Sequence, residues 1–166
     1  GLGNYVSIKK PDMLVVHGDR LEALAGGIVG SLNNIIVAHI EGGEVSGTID
    51  EIIRHSISKL SHIHFVANEK AKIRLIQMGE LSDNIYIIGS PDIDVMMSSS
   101  LPSLKYVKDY YNIQFDEFAL FIYHPVTTCL HDLMRNIREV IDALLESERN
   151  YVMIYPNNDS GSDIIV

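Results

Sequence analysis

Apolar and polar positions alternate along this chain in blocks. MLVV (13–16), NIIVA (34–38) and FALFIY (118–123) are short apolar runs, largely β-branched, and polar residues capable of chemistry follow each one. Runs of that kind read as strands buried on both faces of a parallel sheet. Their polar ends are His17-Gly18-Asp19-Arg20, His39-Ile40-Glu41-Gly42-Gly43-Glu44 and His124-Pro125-Val126-Thr127. These then fall at the carboxyl edge, where open α/β sheets hold their ligands.

The same pattern extends over the whole chain. It predicts strands at 12–17, 34–39, 63–67, 85–88, 118–123 and 151–155, and helices at 20–31, 103–112 and 127–147. A Gly-rich loop at 41–48 leads to Thr48 and Glu51, which have capping-box spacing. The helix that follows carries Ile49, Ile52, Ile53, Ile57 and Leu60 on one buried stripe. Asn68 is a good N-cap for a helix that ends at Gly79, a good C′ residue. Residues before 12 read as a polar lead, and the closing DIIV reads as a strand. The Ser-, Asp- and Pro-rich stretch from Gly89 to Pro102 reads as a loop or domain crossover with room for one helical turn. Strand–helix alternation on both sides of that crossover predicts an α/β protein of Rossmann-like units.

Composition narrows the function classes. The chain has 166 residues, 46% of them hydrophobic and 21% charged, enough to bury a sizeable core. No apolar run approaches the roughly 20 residues of a membrane helix, and no secretory signal pattern stands at the start. A net charge of −9 without a basic stripe argues against a nucleic-acid partner. Cys129 alone excludes an internal disulfide and fits a reducing, cytoplasmic compartment. Within its apolar helix it reads as inert core. The chain starts without Met and ends on a strand-like run, so it reads as a segment of a longer polypeptide.

Each candidate constellation admits two readings. Asp19 beside Arg20 offers an acid or base next to a phosphate-binding guanidinium, or an ion pair capping the next helix. Glu41 with Gly42 and Gly43 suits close approach to a ligand, or is an ordinary βα turn. Asp50 and Arg54 share one helix face at i,i+4, where a solvated pair is the commoner meaning. His124 can protonate a leaving group, with Thr127 and Thr128 at a helix start that favours anions. Asn157-Asn158-Asp159-Ser160-Gly161 can hold a sugar or phosphate, or form an Asx-rich turn. His62-Ile63-His64 lacks the carboxylate or thiol partners of a metal site and reads as structural. GGIVG (26–30) lacks the full dinucleotide fingerprint, so NAD has no support and no cofactor is expected.

With these residues in hand, the chain resembles the hydrolysing UDP-N-acetylglucosamine 2-epimerases of bacterial sialic acid synthesis and the related animal epimerase domain. The match is carried by HGDRLEAL (17–24), AHIEGGEVSGTIDEIIRHSISKLSHIHFVAN (38–68), IGSPDID (88–94), YHPVT (123–127) and PNNDSGS (156–162), in order through essentially the whole chain. DEIIRH (50–55) resembles the hydrolysing branch; non-hydrolysing relatives typically carry a Pro-Glu-Glu version there. They also carry His-Arg-Arg in place of His124-Pro125-Val126.

The resemblance implies a glycosyltransferase-B-like fold, with 1–102 the later part of an N-terminal Rossmann-like domain and 103–166 the start of a C-terminal one. It implies conversion of a UDP-sugar to N-acetylmannosamine and UDP, without metal or NAD, in an enzyme that is commonly a homo-oligomer. It places Asp19, Glu41, Asp50 and His124 in catalysis. Arg20, Asn157 and Asp159 fall at the nucleotide diphosphate, and Arg54 is grouped with these substrate contacts. A UDP-2,4-diacetamido-trideoxyhexose substrate is the sibling reading. A glycosyltransferase, or a non-catalytic nucleotide-sugar-binding module, is the alternative from another class.

Overall fold

A computed structural model describes residues 1–157 and 159–165. Asn158 and Val166 lie outside the described residues, as does the Thr128 side chain. The chain divides into two compact units, Gly1–Ser99 and Ser100–Val166.

The first unit contains α1 (Leu2–Lys9), β1 (Met13–His17), α2 (Leu21–Leu32), β2 (Ile36–Ile40) and α3 (Ile49–Lys59). It continues through β3 (Ile63–Val66), α4 (Glu69–Gln77), β4 (Ile85–Ile87) and α5 (Pro91–Met96). The strands form one parallel sheet in the order β1-β2-β3-β4, with Met13 opposite Ile36, Ala38 opposite Ile63 and His64 opposite Ile85. Every crossover therefore steps in the same direction, and right-handed crossovers stack α2, α3 and α4 on one face. Beneath them lie Val16, Ala23, Val37 and Ile57 in one cluster and Val66, Ala71, Leu75 and Ile85 in another.

This corrects the expectation of strands buried on both faces. Val16 is 8% exposed but Val15 is 59% exposed, and Met13 and Ile36 are exposed as well.

Close packing of α2 on the sheet depends on glycine. A Cβ on Gly26 would lie 2.7 Å from Val16 Cγ1, and one on Gly30 would lie 2.4 Å from Val37 Cγ2. Two other readings change. The polar lead is the helix α1, which buries only Val6 and so shows no apolar stripe. The isoleucine stripe of α3 is buried at Ile57, whereas Ile49 and Ile52 are exposed, because the stripe is wider than the surface that α2 and the sheet offer it. The α4 boundaries are as read: Asn68 accepts from the Ala71 N–H, and Gly79 adopts φ +95°.

The second unit holds α6 (Leu104–Tyr110), β5 (Ala119–Ile122), a 3-10 turn (Thr127–Asp132), α7 (Leu133–Glu146), β6 (Tyr151–Ile154) and α8 (Ser162–Ile165). Strands β5 and β6 are parallel, Ala119 opposite Tyr151 and Ile122 opposite Ile154. The helix expected from 127 is regular only from Leu133, where Leu133 and Ile137 become buried. Before it, the Cys129 N–H donates to the Val126 carbonyl at 2.8 Å, closing a tighter turn. Cys129 has φ −134° and is exposed, so it is not core. The described part of DIIV is helical, closed by the Ile164 N–H to the Gly161 carbonyl at 3.1 Å. Among the described residues no helix is long and apolar enough to cross a membrane.

The α2–sheet contact is testable by urea unfolding. Gly30→Ala should lose about 1–2 kcal/mol, the clash with Val37 outweighing a helix-propensity gain of about 1 kcal/mol. Gly3→Ala, in the same helical setting but facing open space, should be neutral or stabilising. Equal behaviour of the two variants would show that α2 does not rest on its glycines.

Candidate active site

At the carboxyl edge of the first sheet, β1 and β2 end side by side. The Gly18 N–H donates to the Ile40 carbonyl at 3.0 Å, and the Glu41 N–H donates to the Phe65 carbonyl at 2.8 Å. Asp19 and Glu41 thus leave adjacent strand ends. Glu41 itself takes φ +63°, the left-handed region, which turns its side chain out of the strand direction.

Both Glu41 carboxylate oxygens are held. Ser90 Oγ–H donates to Oε1 at 2.6 Å, and His17 Nε2–H donates to Oε2 at 2.9 Å. The Ser90 bond lowers the Glu41 carboxyl below its usual range against the opposing effect of burial, with His17 and then Arg54 adding to the lowering. Glu41 is therefore held in its ionised form.

Asp19 is paired with the guanidinium of Arg54, 35 residues on, through Asp19 Oδ2 and Arg54 Nη2. This corrects the i,i+4 pairing of Arg54 with Asp50: the guanidinium reaches across to the strand end, and Asp50 makes no ion pair among the described residues. Instead Asp50 Oδ2 accepts from Thr48 Oγ1 at 3.1 Å in the first turn of α3. The capping-box reading is also modified. Glu51 accepts from the N–H groups of Ser46 at 2.9 Å and Gly47 at 2.8 Å rather than from that of Thr48, so it orders the loop ahead of the helix. Those two bonds lower its carboxyl below the usual range.

Behind the carboxylates sits His39, fully buried. Its Nε2–H donates to the Gly18 carbonyl at 2.8 Å, and Nδ1 lies 3.1 Å from Ser58 Oγ, whose hydroxyl donates to the Arg54 carbonyl at 3.1 Å. A carbonyl only accepts, so the neutral ring carries its proton on Nε2. Burial pushes the imidazole down to about 4, with the Gly18 bond opposing. Gly42 follows closely: a Cβ there would lie 2.9 Å from both His39 Nδ1 and Ser58 Oγ. His64, also buried, faces Glu80 at 3.3 Å, and burial lowers it too. His62 Nδ1 accepts from the Val37 N–H at 3.2 Å, so both of these histidines are structural, as read.

In the second unit, His124 lies two residues past β5 and is exposed. Its Nδ1 accepts from the Asn157 N–H at 3.2 Å, which leaves Nε2 to carry the proton of the neutral ring. Asn157 Nδ2 in turn donates to Asp159 Oδ2 at 2.6 Å. Three predicted residues therefore form one cluster past the ends of β5 and β6. The anion site expected at Thr127 changes character, because a 3-10 turn, not the first turn of a regular helix, starts there. Arg20 is the N-cap residue of α2.

Ser58 and Ser90 were not singled out from the sequence, and His17 and His39, though they open two of the strand-end segments, were given no role of their own. Ser58 and Ser90 lie 19 and 49 residues from their partners, and no local pattern reveals such bonds. Among the described residues no group of three or more His, Cys, Asp or Glu converges as a metal site.

A family model described as UDP-N-acetylglucosamine 2-epimerase matches residues 1–166. The chain is 56% identical over 157 residues to a UDP-N-acetylglucosamine 2-epimerase of Neisseria meningitidis serogroup B, covering 95% of this chain and 42% of that protein. It is 40% identical over 166 residues to a UDP-N,N'-diacetylbacillosamine 2-epimerase (hydrolyzing) of Legionella pneumophila, covering 99% of this chain and 44% of that protein. The chain thus spans less than half the length of these curated relatives. Among solved structures, a Methanocaldococcus jannaschii UDP-GlcNAc 2-epimerase in complex with UDP-GlcNAc and UDP superposes with a TM-score of 0.83 at 24% identity, over 99% of this chain and 47% of that one. A Neisseria meningitidis UDP-GlcNAc 2-epimerase bound to UDP-GlcNAc gives 0.82 at 23% identity, over 99% and 48%. The glycosyltransferase-B-like expectation for the fold is met by these superpositions.

The buried imidazole makes a pH prediction. A folded value near 4 lies below the ordinary 6.5, so the unfolded chain binds the proton first and stability falls as pH drops from 6.5 towards 4. His64 contributes in the same direction. Urea midpoints measured across that window should fall less steeply for His39→Gln, which keeps a donor for Gly18 but cannot titrate. An unchanged slope would place the acid sensitivity elsewhere.

Proposed function

The chain belongs to the UDP-N-acetylglucosamine 2-epimerase family, and we propose that it carries the catalytic residues of a hydrolysing 2-epimerase that converts UDP-N-acetylglucosamine to N-acetylmannosamine and UDP. The observation that carries this reading is the pair of carboxylates at adjacent strand ends, Glu41 held ionised by Ser90 and His17, and Asp19 held by Arg54. Residues 1–102 then correspond to the later part of an N-terminal Rossmann-like domain and 103–166 to the start of a C-terminal one.

The chemistry asks for this set. In the first half-reaction the C1–O bond to UDP breaks, a base takes the C2 proton, and a C1=C2 double bond forms. In the second, water gives its hydroxyl to C1 and a proton returns to C2 from the opposite face. As C1–O ionises, positive charge develops at the sugar, and fixed carboxylates stabilise it electrostatically. Asp19, Glu41 and Asp50 supply that field and the base. The departing diphosphate gathers negative charge, which Arg20 and a proton on His124 Nε2 offset. Asn157 and Asp159 hold the ring of His124 and the adjoining nucleotide contact. Arg54 acts through Asp19 in this scheme, its guanidinium already occupied by that carboxylate.

The Legionella relative supports a second substrate reading, the same chemistry on UDP-N,N'-diacetylbacillosamine. Incubating the intact polypeptide with each nucleotide sugar in D2O separates them. Release of UDP with deuterium at C2 of the free sugar is expected with one or both, and an acceptor requirement would instead indicate a glycosyltransferase.

Asp50→Asn in the intact polypeptide should lower kcat by about 100-fold or more while leaving the urea midpoint within about 0.5 kcal/mol, since Asp50 is tied only to Thr48. A wild-type rate in this variant returns Asp50 to a solvated surface role. The 166 residues expressed alone should show negligible turnover.

A further inference from the structure

Ser90 occupies the N-cap of α5, with φ −96° and ψ 128°, and Pro91 follows at the first helical position. A serine there ordinarily bonds an N–H of the first turn. This one makes no side-chain cap bond. Its hydroxyl is turned instead to Glu41 Oε1, at 2.6 Å. A helix of six residues thus forgoes its cap in favour of a carboxylate 49 positions earlier in the chain.

We infer that Ser90 is a positioning residue for the proposed reaction, fixing the rotamer of Glu41 through a hydrogen bond that helix α5 does not use. The inference rests on the epimerase reading and names a residue that reading does not contain. Glu41 is gripped on two sides, by Ser90 on one oxygen and by His17 from β1 on the other. Neither grip alone defines the carboxylate plane; together they leave it one orientation. The other charged group acting on it is Arg54 from α3, while β3 contributes only the Phe65 carbonyl, which receives the Glu41 N–H.

The placement of Ser90 gives the contact a second meaning. Residue 90 opens the segment that runs from β4 to the unit boundary at Ser99–Ser100. Glu41 is therefore coupled to the path by which the chain leaves the first sheet.

The experiment uses the intact polypeptide, its Ser90→Ala variant and its Ser90→Thr variant. Alanine suits the extended backbone at this position and removes no cap bond, and threonine restores a hydroxyl. Glu41 is followed by carbon NMR of its side-chain carboxyl, assigned with Glu41→Gln, across a pH titration. Its midpoint should move up in Ser90→Ala and return towards the parent value in Ser90→Thr. In parallel, kcat/KM for UDP-N-acetylglucosamine should fall by about tenfold on the acid side of the profile in Ser90→Ala and by little at alkaline pH. A Glu41 midpoint unmoved by Ser90→Ala overturns the inference whatever the activity does. So does a loss of kcat/KM that is equal at every pH, which marks a purely structural role. A moved midpoint in a parent polypeptide that releases no UDP upholds the contact and sinks the epimerase reading instead.

Discussion

The hydrogen bond from His39 Nε2 to the Gly18 carbonyl, with Ser58 beside Nδ1, joins three elements through one buried side chain. Gly18 begins the exit from β1, His39 is the next-to-last residue of β2, and Ser58 lies on α3. The bond fixes the turn that presents Asp19 and sets α3 against the sheet. Four residues before Ser58, Arg54 is thereby brought to the Asp19 carboxylate. The ring stays neutral, because a buried imidazolium carries a desolvation cost that the Gly18 carbonyl only partly offsets. Burial secures that neutrality. Gly42 is the steric counterpart, since any larger residue presses on the ring and on Ser58 together.

Much of this architecture is legible in the chain itself. Apolar runs ending at Val16, Ala38 and Tyr123 announced strands with polar residues at their ends, and Asn68 and Gly79 announced the limits of α4. What stayed hidden has physical causes. Helix α1 offers one buried residue, Val6, so no periodicity betrays it. Val15 and Val16 are the same residue on opposite faces of β1, and composition alone does not say which face α2 covers. Arg54 has an acid at i−4 and one 35 residues back, and only the fold decides between them. The irregular start of α7 turns on local backbone bonds around Cys129 that an amphipathic pattern cannot report.

The three carboxylates of the candidate site are held in different ways. Asp19 has a full counter-charge in Arg54. Glu41 has two hydrogen-bond donors. Asp50 sits in the first turn of α3, where unpaired amides and the helix dipole favour a negative group by about 0.3–1 kcal/mol. Different environments for chemically similar acids are the usual means by which one site separates base from electrostatic stabiliser.

The backbone of Glu41 has a consequence for how this loop can change over time. At φ +63° a glycine is at ease and an L-residue is not, a difference of about 1 kcal/mol. Glycine already fills the next two positions. Selection for stability alone would therefore draw residue 41 towards glycine as well. A glutamate at this position trades some stability of the loop for a carboxylate, and Glu41→Gly would gain the first by giving up the second.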